Sequence, residues 1–192
     1  MEKPFRLFVV QFVADAAALE KRLKRLKLCA CPYCGRIGTL NRHDKRRTQA
    51  WHRPCAEQAE VCRGQRAWCS TRGRRGGCGR TIMFYFSWVL PGRAITAPML
   101  WRALRRLRVG RNLHTIHRHT ARHLTPGAIR TAIKRAGEKL SEIRRRLPGA
   151  PPPGCESDSP MAQTIEHLRS AFPSSICPIM AFQEAYNAPF PA

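Results

Sequence analysis

An α+β fold, mostly helical, is what the sequence predicts, and three observations predict it. Four cysteines stand where two short turns could share one ion: Cys31 and Cys34 in Cys31-Pro32-Tyr33-Cys34-Gly35, then Cys69 and Cys78. Ile82-Met83-Phe84-Tyr85-Phe86 has the aromatic and branched composition of a strand. From Thr96 onward, apolar residues recur at three- and four-residue spacing in three successive segments. The expected order is a small β zinc ribbon, a helix-turn-helix-like helical bundle and a short helical tail.

Each element has its own justification. Phe5, Phe8, Val9, Phe12, Val13, Ala16, Leu19, Leu23 and Leu26 fall at helical spacing among Lys21, Arg22, Lys24, Arg25 and Lys27. Residues 1–28 are therefore expected as an amphipathic N-terminal helix running over 5–28, with a strand over Arg6–Val13 as the alternative for its opening. Residues 29–90 are expected as the ribbon, interrupted by the polar stretch Asn41–Gln58 and carrying a basic insert, Ser70–Gly77. Residues 91–147 are expected as the basic helical domain, entered through the Pro91-Gly92 turn. Thr96 can cap its first helix, Asn112 its second and Thr125, followed by Pro126, its third.

In that third helix Ile129, Ile133, Ala136, Leu140, Ile143 and Leu147 form a heptad seam of under three heptads. Packing within its own domain is the simpler reading, and self-association through 129–147 the alternative. Residues 148–160 are rich in Pro and Gly and read as a linker. Residues 161–192 read as an apolar helical tail, with Ile165, Leu168, Phe172, Ile179, Phe182 and Tyr186 able to dock on the main domain or on a protein partner.

The cysteines carry the metal prediction. Two residues between Cys31 and Cys34 let both sulfurs face one ion, and a glycine after the second lets backbone N–H groups turn toward sulfur. Cys69 and Cys78 enclose eight residues, Ser70-Thr-Arg-Gly-Arg-Arg-Gly-Gly77, flexible enough to loop out without disturbing a tetrahedral site. The expected ligands of one structural Zn²⁺ are thus Cys31, Cys34, Cys69 and Cys78. Cys29, Cys55, Cys62, His43 and His52 compete for those places, and Cys155 and Cys177 read as free thiols. His119 and His123 have finger-like spacing, but 84 residues separate Cys34 from His119.

Charge points to the partner. Lys and Arg number 35 against 12 acids, a formal net charge of +23. From Pro151 onward there is one base against four acids, so residues 1–150 carry 34 − 8 = +26. Arginine outnumbers lysine 28 to 7, which suits bidentate phosphate and guanine contacts and would also follow from a GC-rich coding sequence. A field this dense repels itself, and a polyanion relieves it. Arg111, His114, His117, Arg118 and Arg122 flank the apolar side of the second helix, the arrangement of a recognition helix entering a major groove. Arg72, Arg74 and Arg75, among glycines, read as a second phosphate clamp. DNA is the expected partner, with RNA or ribosome attachment as the alternative.

Cys31-Pro-Tyr-Cys-Gly, Arg63-Gly-Gln-Arg-Ala-Trp-Cys69 and Cys78-Gly-Arg-Thr81, followed by a hydrophobic strand and helices, resemble the zinc-ribbon/helix-turn-helix regions of bacterial insertion-sequence transposases and their short accessory proteins. The resemblance covers roughly residues 30–124. It implies recognition of transposon-end DNA, with Cys31, Cys34, Cys69 and Cys78 at the zinc positions. The 34 residues between Cys34 and Cys69 and the eight-residue second pair depart from that pattern.

Other classes fit less well. Strand-transfer chemistry needs clustered carboxylates to hold divalent metal, and residues 1–150 offer only eight scattered acids, so no enzyme is expected. No segment approaches the roughly 18 apolar residues of a membrane span. Leu7–Val13 is short for a signal sequence and contains Gln11, so a reducing cytoplasm, at the nucleoid, is the expected compartment. A non-catalytic partner subunit docking through its C-terminal tail is the remaining alternative.

Overall fold

In the computed structural model, residues 10–50, 59–72, 76–120, 124–149 and 159–191 are described. They fall in two compact units, the first ending at Phe86 and the second carrying Ser87 onward. Seven α-helices and one four-stranded mixed sheet among these residues make the chain α+β.

The first unit opens on the alternative, a strand, and not on one continuous helix. In place of one helix over 5–28 stand a strand β1 (Val10–Val13), a helix α1 (Ala16–Lys24) and a 3₁₀ turn at Leu26–Leu28. Two physical causes divide the segment. Val10-Gln-Phe-Val13 is β-branched and aromatic, and it finds a strand to pair with, running parallel to Met83–Phe86. Asp15 is extended and its carboxylate accepts from the Ala18 N–H at 2.8 Å, which starts a helix at Ala16. The helical spacing survives from there on: Leu19, Leu23 and Leu26 are buried, and α1 packs on β1 and the last strand of the sheet.

The sheet is completed by β2 (Leu40–Ala50), β3 (Ala59–Cys69) and β4 (Thr81–Phe86), in the order β1-β4-β3-β2. β3 runs antiparallel to β4, with Gly64 opposite Tyr85 and Trp68 opposite Thr81. Phe12, Val13, Leu40, Ala67, Ile82, Phe84 and Phe86 are buried in this unit. Gly64 is required by closeness: at φ 155° a Cβ there would lie 1.9 Å from the Phe84 carbonyl oxygen. Gly64→Ala must therefore push β3 away from β4, and a loss of about 3 kcal/mol of stability is expected in denaturant unfolding.

The second unit is helical: α2 (Ala97–Arg108), α3 (Leu113–Thr120), α4 (Pro126–Glu138), α5 (Leu140–Arg146), α6 (Pro160–Ala171) and α7 (Pro178–Tyr186). The predicted starts hold. Asn112 Oδ1 accepts from the Thr115 N–H at 2.8 Å, and Thr125 Oγ1 from the Ala128 N–H at 3.2 Å. Thr96 occupies the cap position of α2 without a side-chain bond. The heptad segment is two helices, broken at Lys139, whose N–H bonds to Ala136 in a tightened turn. Gly137 just before it weakens the helix there. Ile129, Ile133, Ala136, Ile143 and Leu147 belong to this unit's own core.

The C-terminal segment belongs to the same core. Ile165, Leu168, Cys177, Ile179, Phe182 and Phe190 are buried with Leu100, Leu104 and Ile116. Gln183, fully buried, ties the two parts together. Its amide nitrogen donates to the carbonyls of Ser87 (2.6 Å) and Val89 (3.0 Å), and its oxygen accepts from the Phe190 N–H (2.9 Å). A buried amide with its partners made in this way fixes one arrangement.

Candidate metal centre and basic surfaces

The four predicted sulfurs meet. Cys31, Cys34, Cys69 and Cys78 place their Sγ atoms within 4.8 Å of one another. Cys31 and Cys78 are separated by 3.7 Å, and Cys34 and Cys69 by 3.8 Å. A tetrahedron of zinc–sulfur bonds of about 2.3 Å has edges of about 3.8 Å. The donor set is therefore compatible with one zinc ion, in both number and spacing.

The backbone shows why the irregular second pair still works. In the first turn the Cys31 N–H donates to the Arg36 carbonyl (2.9 Å) and the Gly35 N–H to the Cys31 carbonyl (2.8 Å). In the second turn the Cys69 N–H donates to the Arg80 carbonyl (2.9 Å) and the Gly79 N–H to the Cys69 carbonyl (3.0 Å). Gly35 and Gly79 share φ 70°. The two turns are one structure made twice. Ser70 and Gly77 stand where Pro32 and Tyr33 stand in the first, and the Gly77 N–H donates to the Ser70 carbonyl at 2.5 Å. The chain between them leaves through that neck. Gly77 is confined, since a Cβ would lie 2.4 Å from Cys69 Sγ.

Electrostatics separates the thiols. Burial pushes the Cys31 thiol up to about 12, and it raises Cys78 as well. Burial also opposes ionisation of Cys69, but the Thr39 hydroxyl, 3.1 Å from its sulfur, and the Cys78 N–H, at 3.3 Å, outweigh it and bring Cys69 down to about 7. Near neutral pH Cys69 is thus the readiest to present a thiolate, while Cys31 and Cys78 must give up protons to bind zinc. A bound ion holds those pKa values far down, so affinity is full at high pH and lost as pH falls. Well below neutrality Cys31, Cys78 and Cys69 each displace a proton, so zinc affinity is expected to drop at least about a thousandfold per pH unit there, measured by chelator competition.

The competing ligands lie elsewhere. Cys29 is exposed, on extended backbone, and Cys62 directs its thiol to the Gly64 carbonyl at 3.4 Å. His43 contacts Asp44. Cys177 is buried in the second unit, where burial pushes its thiol up to about 11. Cys55, Cys155, His52 and His123 lie outside the described residues.

The predicted nucleic-acid residues divide. Arg111, His114 and Arg118 are exposed around α3, while Ile116 and Thr120 on its other side are buried. His117 is half-buried, and its Nε2 lies 2.6 Å from the Leu124 carbonyl, so that nitrogen is engaged in the chain after α3. Arg72 is exposed at the neck of the insert, its N–H donating to Ser70 Oγ at 3.2 Å. Arg74, Arg75 and Arg122 lie outside the described residues.

Two basic features escaped the sequence. Residues 41–50, read as a polar interruption, belong to β2, where Lys45, Arg46 and Arg47 are exposed. Asn, Asp and Lys are poor strand formers, so nothing local announced it. Contacts of Thr39 with Ser70 and of Asp44 with Arg66 run in opposite senses, which pairs β2 antiparallel with β3. The other feature is a set of arginines at the end of α2, described below.

Comparison with protein-family models, curated proteins and solved structures finds no match. Among the described residues no helix is long and apolar enough to cross a membrane.

Proposed function

We propose that this chain is a zinc-dependent, non-catalytic DNA-binding protein. It would bind duplex DNA through phosphate contacts and by laying α3 in the major groove, like the DNA-recognition part of an insertion-sequence transposase. The observation that carries this reading is α3 itself. Ile116 and Thr120 anchor one side of the helix, and His114 and Arg118 stand exposed on the other, with Arg111 just before it. The helix is short and follows α2 after a tight turn through Gly110 at φ 74°. α2, α3 and α4 pack on one another, which gives α3 a scaffold. The tetrathiolate centre suits a small platform held by metal, and the net charge of +23 supplies the attraction.

Salt titration tests it. With about six phosphates contacted, log affinity for duplex DNA should fall with log salt at a slope near −5. Arg118→Ala should reduce that slope by about one. A flat dependence, or a clear preference for hairpin RNA at equal salt, would sink the DNA reading.

A further inference from the structure

The C-terminal end of α2 forms one wall of a cavity of about 610 Å³. Six arginines line it: Arg102, Arg105, Arg106 and Arg108 from α2, Arg111 from the following turn, and Arg169 from α6. Ile165 and Val109 complete the lining with apolar surface. One acid answers them. Glu166 contacts Arg108 and lies 3.2 Å from Arg169. Arg102, Arg105, Arg106 and Arg111 make no ion pair among the described residues.

Ordinary structural roles account for part of this. Cations complement the negative end of a helix dipole, and a long side chain on a helix usually faces water. Those roles explain one or two arginines near the last turn of α2. They do not explain why five arginines within residues 102–111 share one concavity with Arg169, about 60 residues further along the chain. Along α2 the cations also stand three and four residues apart, at Arg102, Arg105, Arg106 and Arg108, where like charges repel. A multiply charged anion in the cavity would turn that repulsion into attraction. Guanidinium groups offer paired N–H donors that match phosphate oxygens, and the volume falls in the range of small-molecule sites.

We infer that this cavity between α2 and α6 is a binding site for closely spaced phosphate groups, which adjoins the exposed side of α3 at Arg111 but does not include His114 or Arg118. Its charge, six guanidiniums against one carboxylate, suits a polyphosphate better than a single monoanion. The site does not depend on the DNA reading.

The experiment titrates inorganic tripolyphosphate into the full-length, zinc-loaded protein at constant ionic strength, followed by calorimetry. Saturable binding of one anion per chain is expected. The double variant Arg105→Gln/Arg106→Gln should weaken it by at least about tenfold while keeping its thermal transition. Arg130→Gln/Arg145→Gln, which removes the same charge from exposed positions on α4 and α5, should leave it within about twofold. Absence of saturable binding, or equal weakening in both double variants, overturns the site.

A second titration, of duplex DNA with and without saturating tripolyphosphate, identifies the source. Displacement of DNA means that phosphates of the strand occupy the cavity, and unchanged DNA affinity means that a free polyphosphate does. Tripolyphosphate binding without any DNA binding would remove the proposed function and leave this site standing.

Discussion

A chain ending at Gly149 is expected to lose the fold of its whole second unit, not merely two helices. Ile165, Leu168, Ile179, Phe182 and Phe190 are each 4% exposed or less and share one core with α2, α3 and α4. At roughly 1.5–3 kcal/mol for each large apolar side chain buried, their removal withdraws on the order of 10 kcal/mol. Whole domains are stable by only about 5–15 kcal/mol. The truncation also takes away Gln183, leaving the Ser87 and Val89 carbonyls without their buried donor. Circular dichroism should show helix lost from residues 97–146 as well as from the deleted part, with no cooperative thermal transition. Retention of that transition would mean that the tail is an accessory. Of the two expectations for this tail, docking on the main domain is the one seen, because these apolar side chains are engaged by their own unit.

Cys34→Ser tests the other unit. Cys34 reaches the surface, so exchanging sulfur for oxygen there removes little packing. What it removes is one of four sulfurs clustered within 4.8 Å. Structural zinc contributes roughly 10–16 kcal/mol of apparent binding energy, much of it folding energy. Loss of one thiolate should abolish stoichiometric zinc at neutral pH and open the two turns at 30–37 and 69–80. Hydrogen exchange should then speed up at Cys31 and Cys69, whose N–H groups are held by Arg36 and Arg80. The sheet beside α1 should suffer less, because Phe12, Leu19, Leu23, Ile82 and Phe84 give it an apolar core of its own. One zinc retained per chain, with exchange unchanged, would show that the four sulfurs are not the ligands.

The four-cysteine cluster was legible because its chemistry is local. Cys31-Pro-Tyr-Cys34-Gly specifies a turn by itself, and Cys78-Gly79 repeats its second half. What spacing alone could not say is that Ser70 and Gly77 would close the neck of the insert, a matter of two carbonyl bonds around Cys69. The helix starts at Asn112 and Thr125 were equally local, each a side-chain oxygen three residues before the N–H it accepts from.

Elsewhere partners distant in sequence decided. Val10–Val13 has helical spacing with its neighbours and strand composition on its own, and only the presence of Met83–Phe86 alongside made it a strand. β2 carries few apolar residues and follows from the neighbour it pairs with. Five of the six arginines around the cavity fall within residues 102–111, but that they share a concavity with Arg169 of α6 is visible only in the fold. Short-range features such as caps, metal turns and charge were set by the amino-acid sequence itself, because their interacting atoms lie within a few residues. Strand pairing, the division of the heptad segment, the burial of the C-terminal helices and the gathering of charge required the tertiary structure, because the atoms that settle them lie tens of residues apart.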